Sequence, residues 1–411
     1  MSTSVGLSPL DLPACPPRRL PIHLAYLVNY IRPDTLPIYR ELAKRVEKLS
    51  ILLSAPMDTE GRWQQDWGGL DVALQRTWTI RRPRRHALGF NDHTLIHIPV
   101  DTLGRLRRLQ PDAVLTCELG FRTLFSEIYA RWLRRTPLII QTGLSEHTER
   151  GQGWLRRAAR KILLKRGDAF VANGRSGARY LQQMGAPADR IYRVHYPALP
   201  GKFDGCPTDR PVESAHRLMF AGRLIELKGI VPFLGSLARW AAEDSGRRVE
   251  FWVAGSGPER EKIESVPLPA GVSLRLFGEC SYDRLAELYS QAGIFVLPSL
   301  SDDWGMVVNE AMAAGLPVLG SVYSQAVTEL CRDGETGWTF RTDVPADMDA
   351  ALGAALSTPP DRLAEMRQAA RREVQMLTPG HAADELITAV EAAVNRRAGK
   401  GEAPRDRGGP S

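Results

Sequence analysis

Short apolar runs alternate with segments of helical spacing along most of the 411-residue chain. The helical segments include 37–46 and 382–394, and the apolar runs, typical of buried strands, lie near 23–28, 49–53, 113–116, 138–141, 169–172, 217–221, 250–254, 273–277 and 294–297. This alternation predicts parallel sheets covered by helices. We therefore expect an α/β fold with two doubly wound, Rossmann-like domains that face each other across a cleft at the carboxyl ends of their strands.

A segment rich in Pro, Gly and Asp divides this pattern into two halves. We expect an N-terminal domain at 21–197, a linker at 198–212, a C-terminal domain at 213–380 and a last helix at 381–397. Packing of that helix back on the N-terminal domain is one arrangement open to it. The lead at 1–20 and the tail at 398–411 are rich in Pro, Gly and polar residues, so we expect both to be disordered.

The chain carries no evident targeting or membrane-spanning signal. No apolar run approaches the roughly 20 residues needed to cross a bilayer, and the lead lacks the apolar stretch of a signal peptide. Five scattered cysteines are typical of reduced thiols and not of a disulfide framework or a zinc site. These features predict a cytoplasmic protein.

The formal net charge of +7 conceals an asymmetry between the halves. Residues 21–200 hold 29 Lys and Arg against 16 Asp and Glu, whereas residues 201–395 hold 18 against 28. A basic half suits an anionic partner such as the inner face of a membrane. Nucleic acid is disfavoured, because no recognition fold or aromatic stacking motif accompanies the basic segments.

The basic segment 154–166, WLRRAARKILLKR, is amphipathic at helical spacing. Two interpretations stay open for it. A helix of this kind can lie on an anionic membrane surface as part of a peripheral protein, or it can pack on the core with a solvated basic face.

The segment 296–320, VLPSLSDDWGMVVNEAMAAGLPVLG, carries the strongest chemical signal. A buried strand ends at Pro298, a polar loop follows, and a helix is predicted from Met306 to a stop at Gly315. Asp302 in the loop and Glu310 in the helix are positioned to face one ligand at the helix N-terminus. Unpaired N–H groups and a partial positive charge make that end suitable for a phosphate. An ordinary βα unit with two solvated acids is the alternative.

A second strand-to-helix turn, GRLIELKG at 222–229, places two cations between glycines. Arg223 can fork onto two phosphate oxygens, and Lys228 can add a point charge to the same group. Two further strand ends carry glycines: the GSGPE turn at 255–259 lets backbone approach a ligand, and Gly278 can touch a nucleotide base. Each of these is weak alone, since such turns also occur without any ligand.

The combination GRLxxxKG, GxGPE, a strand ending in Gly, LPS and DxWGxxxxEAMAxGxPV resembles the C-terminal half of family 4 retaining glycosyltransferases, which have the GT-B fold. The resemblance covers 217–339 and includes the ETGW segment at 335–338. It implies a nucleotide-sugar donor linked to UDP or GDP and no metal. It also implies a donor site formed by Gly222, Arg223, Lys228, Gly255, Gly278, Ser299, Asp302, Gly305, Met306, Val307 and Glu310.

The resemblance assigns a role to each main group. Arg223 and Lys228 bind the diphosphate together with the amides of residues 305–307, Glu310 binds the ribose, and Asp302 contacts the donor sugar. The family usually has Glu in place of Asp302, so the shorter side chain puts that sugar contact in question. Retaining enzymes of this fold usually need no metal, because these groups neutralise the leaving diphosphate.

The N-terminal half matches the family less well. The family often places a cleft-facing histidine after the strand at 138–141, and His147 is the candidate here. A solvated loop histidine is the alternative. His93 and His97, four residues apart, would share a helix face, but no third ligand stands near them in sequence, so no metal site is expected.

The sequence thus predicts a retaining glycosyltransferase that moves a sugar from a nucleotide-sugar to a hydroxyl of a glycan or lipid-linked acceptor, in polysaccharide or glycolipid synthesis. Two alternatives remain. A nucleotide-sugar epimerase of the same fold would release free sugar without an acceptor. A non-catalytic donor-binding subunit would bind nucleotide without transferring sugar.

Overall fold

A computed structural model describes residues 19–56, 66–151, 153–243 and 248–401. Within these ranges the chain forms two α/β domains joined by an extended crossing between 194 and 211. Most of the predicted lead, 1–18, and of the predicted tail, 402–411, lies outside the described residues.

The N-terminal domain is built on a parallel sheet of order β3-β2-β1-β6-β7-β8-β9. Its strands are β1 Leu20–Val28, β2 Val46–Leu53, β3 Asp71–Leu74, β6 Ala113–Cys117, β7 Leu138–Thr142, β8 Ala169–Ala172 and β9 Ile191–Arg193. Its helices are α1 Leu36–Lys44, α2 Thr102–Leu109, α3 Phe121–Ile128, α4 Trp154–Leu164 and α5 Arg175–Gln183, and α3 continues into a π-helical turn at Tyr129–Leu133. The central strands are buried on both faces, which explains their continuous apolar runs.

The C-terminal domain is built on a parallel sheet of order β12-β11-β10-β13-β14-β15. Its strands are β10 Arg217–Ala221, β11 Val249–Ala254, β12 Val272–Gly278, β13 Ile294–Leu297, β14 Val318–Ser321 and β15 Gly337–Phe340. Its helices are α6 Ile230–Glu243, α7 Arg260–Glu264, α8 Tyr282–Gln291, α9 Met306–Ala313, α10 Gln325–Leu330, α11 Pro345–Leu356 and α12 Pro360–Gln375. The chain order reverses between β10 and β13, which places a crevice at their carboxyl ends.

An antiparallel hairpin, β4 Thr77–Arg85 and β5 Asn91–Pro99, stands apart from the two sheets. The strand and helix pattern did not predict it, because β4 is exposed at most positions and carries the basic run RRPRR instead of an apolar alternation. Pro83 fits there because this hairpin has free edges that need no ladder donor.

The hairpin also corrects the interpretation of His93 and His97 as a pair on a helix face. Both lie on β5, where they pair with Pro83 and Thr79. Four residues along a strand span about 13 Å, which is too far for one metal ion.

The last helix, α13 Pro379–Gly401, packs on the N-terminal sheet and on α1 and not on the domain that precedes it. Leu386, Ile387 and Val390 are buried in the core formed with β1, β2 and α1. Arg45 Nε at the end of α1 donates to Asp384 Oδ1 at 2.6 Å. The helix continues through 398–401, which the sequence had assigned to the tail, and β1 begins at Leu20, which it had assigned to the lead.

Within the described residues, none of the helices is both long and apolar enough to cross a membrane.

Replacing Ile387 by Ala tests the docking of α13. Ile387 is 7% exposed and packs in the N-terminal core. We expect Ile387→Ala to lower the free energy of unfolding by about 2–5 kcal/mol, since it removes buried methylenes and leaves a cavity. Urea unfolding followed by circular dichroism measures the change. The neighbouring Thr388 is exposed, so Thr388→Ala is a matched control; equal effects of the two substitutions would argue against a packed helix.

Candidate functional site

A cleft of about 820 Å³ lies between the two domains at the carboxyl ends of both sheets. The loops after β1 and β7 line one wall, and the turn after β10 and the β13–α9 loop line the other. Of the predicted donor residues, the cleft is lined by Gly222, Arg223, Lys228, Asp302, Gly305, Met306, Val307 and Glu310.

The two cations lie on the turn after β10. Arg223 is exposed to the cleft, and Lys228 ends a short 3-10 turn at Glu226–Lys228. The turn closes at Gly229, which has φ 65°, and a Cβ there would lie 2.1 Å from the Pro298 carbonyl oxygen. Glycine is therefore required for the turn to pack against the loop after β13, and this packing brings Lys228 to the acids.

Lys228 and Asp302 form an ion pair in the cleft. Nζ of Lys228 lies 2.5 Å from Oδ2 of Asp302, and each side chain is 15% exposed. The resemblance assigns Lys228 to the donor diphosphate and Asp302 to the donor sugar, so the ion pair joins one residue from each group. In the structure, the charge of Lys228 is thus balanced by the acid whose length departs from the family pattern.

Helix α9 points its N-terminus into the cleft. Gly305 precedes the helix with φ 99°, and a Cβ there would meet Ser324 Oγ at 2.6 Å. Met306 and Val307 follow and line the cleft. The first amides of the helix have no intrahelical acceptor, so they present donors and a partial positive charge to the cleft. This is suitable geometry for a diphosphate.

Glu310 lies one turn further along α9 and is 5% exposed. Burial raises the pKa of its carboxyl to about 8, and the nearby carboxylate of Asp34 raises it as well. The hydroxyl of Tyr289 donates to Glu310 Oε2 at 3.5 Å. Burial therefore favours the protonated form of Glu310, which can donate as well as accept a hydrogen bond.

Three of the predicted donor residues, Gly255, Gly278 and Ser299, do not line the cleft. Gly255 has φ 142°, and its Cβ would lie 1.8 Å from the Gly222 carbonyl oxygen, so its role is to let the turns after β10 and β11 pack together. The Gly255 amide donates to the Gly278 carbonyl at 2.6 Å. Ser299 is fully buried, and its hydroxyl meets no hydrogen-bond partner among the described residues. These residues pack behind the cleft lining and support its backbone.

The opposite wall carries an ion pair that the sequence did not identify. Arg32 Nε lies 3.0 Å from Asp34 Oδ1 in the loop after β1, and both residues line the cleft. Both act on the pKa of Glu310: Asp34 raises it and Arg32 lowers it. The Arg-Pro-Asp sequence of this loop is evident in the chain, but no local sequence pattern indicates that the loop faces α9 of the other domain.

His147 does not line the cleft. Its ring lies 5.1 Å from the ring of Tyr323, its Nε2 lies 3.9 Å from Glu146 Oε1, and burial lowers the pKa of the imidazole. His86 lines the cleft instead, stacked on Phe90 with ring centroids 4.4 Å apart. Its Nε2 donates to the His147 carbonyl at 3.3 Å, so the two histidines are connected through backbone.

Glu118 lies at the end of β6 in a strained conformation. Its φ of 75° is rare for a residue other than glycine. Such strain persists where the surrounding structure holds it, often at functional sites. Glu118 lines both the cleft and a second cavity in the N-terminal domain.

Polar contacts hold the two domains across the cleft. Gln325 Nε2 donates to the Gly143 carbonyl at 2.7 Å, and its Oε1 accepts from the Gly177 amide at 3.0 Å. Asn309 Nδ2 donates to the Tyr196 carbonyl at 2.6 Å. Neither contact was evident from the sequence, because each joins residues more than 100 positions apart.

One group of described residues, His195, His381 and Glu385, has metal-ligand types close together. His195 Nδ1 lies 2.8 Å from Glu385 Oε1, and hydrogen bonds with Glu329 and Glu385 raise the pKa of His195 to about 9. A protonated imidazole between two carboxylates accounts for this cluster as an ion-pair network where the domains meet.

Family models match both domains of the chain. The family model described as "Glycosyl transferase 4-like domain" matches residues 31–197, and the model "Glycosyl transferases group 1" matches residues 215–358. D-inositol 3-phosphate glycosyltransferase of Nocardia farcinica is 30% identical over 255 residues, which cover 58% of this chain and 56% of that protein. Alpha-D-kanosaminyltransferase of Streptomyces kanamyceticus is 26% identical over 203 residues, 46% of this chain and 52% of that protein. The chain spans about half the length of the curated relatives it matches.

Solved structures match over a larger part of the chain. The lipopolysaccharide outer core galactosyltransferase WaaB in its apo form superposes with a TM-score of 0.67 at 12% identity, covering 90% of this chain and 99% of that one. Anabaena HepE in complex with UDP-glucose gives 0.62 at 14% identity, covering 90% and 100%.

These similarities confirm the GT-B fold, with two Rossmann-like domains facing across a cleft. The chain belongs to the group 1 glycosyltransferases of the family 4 type, since the two family models together match most of both domains.

The raised pKa of Glu310 predicts a pH dependence of stability. The folded pKa of about 8 lies above the ordinary value of 4.5, so the folded state binds more protons between these values. The stabilising contribution of the protonated carboxyl is complete below about pH 4.5 and is lost as pH rises through 8. Glu310→Gln removes this titration, so its free energy of unfolding should exceed that of the wild type by an increasing margin toward pH 9, on the order of a few kcal/mol.

Urea unfolding at several pH values measures this margin. Glu213 is exposed, and Glu213→Gln serves as the control that should follow the wild type at every pH. Parallel curves for Glu310→Gln and the wild type would contradict an elevated pKa.

Proposed function

We propose that this protein is a retaining glycosyltransferase that moves a sugar from a nucleotide-diphosphate sugar to a hydroxyl of a glycan or lipid-linked acceptor. The observation that carries the proposal is the meeting of the α9 N-terminus, Arg223, Lys228 and two acids in one interdomain cleft. Cations and helix amides suit a diphosphate, and buried acids suit hydroxyls of ribose and sugar.

The donor would lie along the C-terminal wall. Its diphosphate would accept hydrogen bonds from the first amides of α9 and would contact Arg223 and Lys228. Glu310, nearly buried, would bind the ribose hydroxyls, and Asp302 would orient the sugar beside Lys228. A donor linked to UDP or GDP fits this pose, and the similarity to HepE, whose structure contains UDP-glucose, favours UDP.

Catalysis would follow from stabilisation of the leaving group. The bond between the anomeric carbon and the diphosphate oxygen breaks, and the negative charge that develops on the diphosphate is met by Arg223, Lys228 and the helix. The acceptor oxygen bonds to the anomeric carbon on the same face, and its proton passes to the departing phosphate. We propose that no metal is needed, because these groups supply the positive charge.

The acceptor would enter from the N-terminal wall, where the basic half of the chain lies. We propose a role in cell-surface polysaccharide or glycolipid synthesis, at the cytoplasmic face of a membrane. The excess of 29 Lys and Arg over 16 Asp and Glu in residues 21–200 supports attraction to an anionic acceptor or surface.

Replacing Arg223 by Ala tests the role of the diphosphate contact. We expect kcat for donor turnover to fall at least about a hundredfold, since a donor to the transition-state charge is lost. Release of nucleoside diphosphate from the nucleotide-sugar, with product analysed for anomeric configuration, gives the measurement. Arg275 lies on β12 away from the cleft and is comparably exposed, so Arg275→Ala is the control. Near-normal turnover of Arg223→Ala would overturn the assignment.

Asp302→Asn separates nucleotide binding from sugar turnover. The substitution removes the carboxylate that pairs with Lys228 at 2.5 Å, so Lys228 is freed for phosphate. We expect UDP to bind at least as tightly as to the wild type, while turnover of UDP-sugar falls about tenfold or more.

Calorimetric titration with UDP and a turnover assay give the two quantities for Asp302→Asn. Asp283, exposed on α8, provides the control variant Asp283→Asn. Weaker UDP binding together with unchanged turnover would reject this division of roles.

A further inference from the structure

A second cavity of about 750 Å³ lies in the N-terminal domain and adjoins the cleft. The hairpin β4–β5 and helices α3 and α4 enclose it. The two spaces share several lining residues, including Asn29, Arg84, Leu95, Glu118 and Arg156. We call the second cavity the groove. A ligand in the groove would therefore lie next to the part of the cleft where the donor sugar is proposed to lie.

The outer part of the groove is apolar and open to solvent. Phe121 and Leu124 on α3 are 40% and 37% exposed, and Ile162 on α4 is 56% exposed. Leu163 and Ile96 complete this lining. Exposed apolar side chains grouped around one cavity indicate a binding surface more than a folding requirement.

Helix α4 explains how this surface arises. The sequence left open whether the apolar positions of α4 pack on the core. In the structure Trp154, Leu155 and Ile162 are exposed. The side chains buried instead are Leu164, which lies in the core of the domain, and Arg160, which pairs with Glu149 and donates to Tyr180 Oη at 2.8 Å. Helix α4 therefore packs on the core through Leu164 and the Arg160 pair, while the exposed part of its apolar stripe is open to a ligand.

The groove is strongly basic where it joins the cleft. Its lining includes five arginines and one acid: Arg82, Arg84, Arg122, Arg156, Arg160 and Glu118. Glu149 balances part of this charge, since it pairs with Arg160 and lies 3.7 Å from Arg156. Arginines therefore outnumber carboxylates among the described residues of the lining, and such a surface is complementary to an anion.

Arg122 adds an independent indication. Its side chain is almost completely buried, with 3% of the residue exposed, and burial lowers its pKa. Its hydrogen bonds go to neutral oxygens, the Leu27 carbonyl at 3.4 Å and the amide oxygen of Asn29, and its Nε meets no partner among the described residues. The nearby Glu118 carboxylate acts on this pKa in the opposite direction and offsets part of the cost of burying the cation, and an anion in the groove would offset more of it.

We propose that the groove binds the acceptor, and that the acceptor is an amphiphile with a hydrocarbon chain and a phosphate-type headgroup. The chain lies between α3, α4 and the hairpin, the headgroup meets the arginines, and the hydroxyl to be glycosylated lies near Glu118 in the cleft. This inference rests on the proposed function and narrows its acceptor to one chemical class.

Alkyl phosphates of different length test the groove directly. Dodecyl phosphate below its critical micelle concentration is titrated calorimetrically into the full-length protein saturated with UDP, and butyl phosphate is the short-chain comparison. Burial of each methylene raises affinity by up to about fourfold, so dodecyl phosphate should bind at least about a hundredfold more tightly. Dodecyltrimethylammonium, with the same chain and opposite charge, should not bind detectably. Equal affinity for the two phosphates, or equal binding of the cation, overturns the proposal.

Two substitutions on α4 distinguish the groove from simple adsorption to an apolar surface. Ile162 and Leu155 are both exposed and lie seven residues apart on one stripe, but only Ile162 lines the groove. Ile162→Glu should weaken dodecyl phosphate binding at least tenfold, whereas Leu155→Glu should leave it unchanged. Leu124→Ser on α3 is the second groove variant. Equal losses for Ile162→Glu and Leu155→Glu would mean surface adsorption and would overturn the groove.

UDP binding separates this inference from the proposed function. If the wild type binds UDP and turns over a nucleotide-sugar but shows no chain-length dependence, the acceptor inference fails and the proposed function stands. If the wild type binds neither UDP nor GDP, the proposed function fails, whatever the alkyl phosphates show.

Discussion

The site depends on the packing of the β13–α9 loop against the β14–α10 loop. The Asp302 amide donates to the Tyr323 carbonyl at 3.0 Å, the Ala326 amide donates to the Trp304 carbonyl at 2.8 Å, and Ser324 Oγ donates to the same carbonyl at 2.6 Å. Because these bonds fix the loop, Gly305 must take a left-handed conformation, and the first amides of α9 are directed into the cleft. Gln325 extends the arrangement to the other domain through the Gly143 carbonyl. One set of backbone bonds therefore positions the anion site and ties it to the opposite wall.

The proposed donor would replace contacts that the charged groups of the cleft already make with one another. Lys228 is balanced by Asp302, Arg32 is balanced by Asp34, and Glu310 is held neutral by burial. A diphosphate would take over Lys228, and the freed Asp302 would then accept from a sugar hydroxyl. Such an exchange costs less than exposing or burying an unpaired charge. The exchange also suggests a role for Asp302, which is shorter than the usual Glu, because its contact with Lys228 orders both side chains before a donor binds.

The sequence predicted the C-terminal wall well because its residues are local to two short segments. Arg223 and Lys228 lie on one turn, and Asp302, Gly305 and Glu310 lie on one loop and helix. The N-terminal wall was predicted poorly, because Arg32, His86 and Glu118 come from distant elements joined only by the fold. The GxG turn shows a second limit. The sequence indicates that Gly255 allows a close approach, but only the structure shows that the approaching group is the Gly222 carbonyl instead of a ligand.

Helix α4 shows why amphipathic patterns are ambiguous in a basic domain. Apolar positions at helical spacing normally face the core, but the neighbouring Glu149 offers a buried carboxylate that an arginine can pair with. Burial of Arg160 in that pair rotates the apolar stripe toward solvent, and the stripe then becomes a wall of the groove. The same rotation places Arg156 between the groove and the cleft. Burial of this ion pair beside Leu164 thus leaves the apolar stripe exposed for the proposed acceptor, and periodicity alone contains no sign of it.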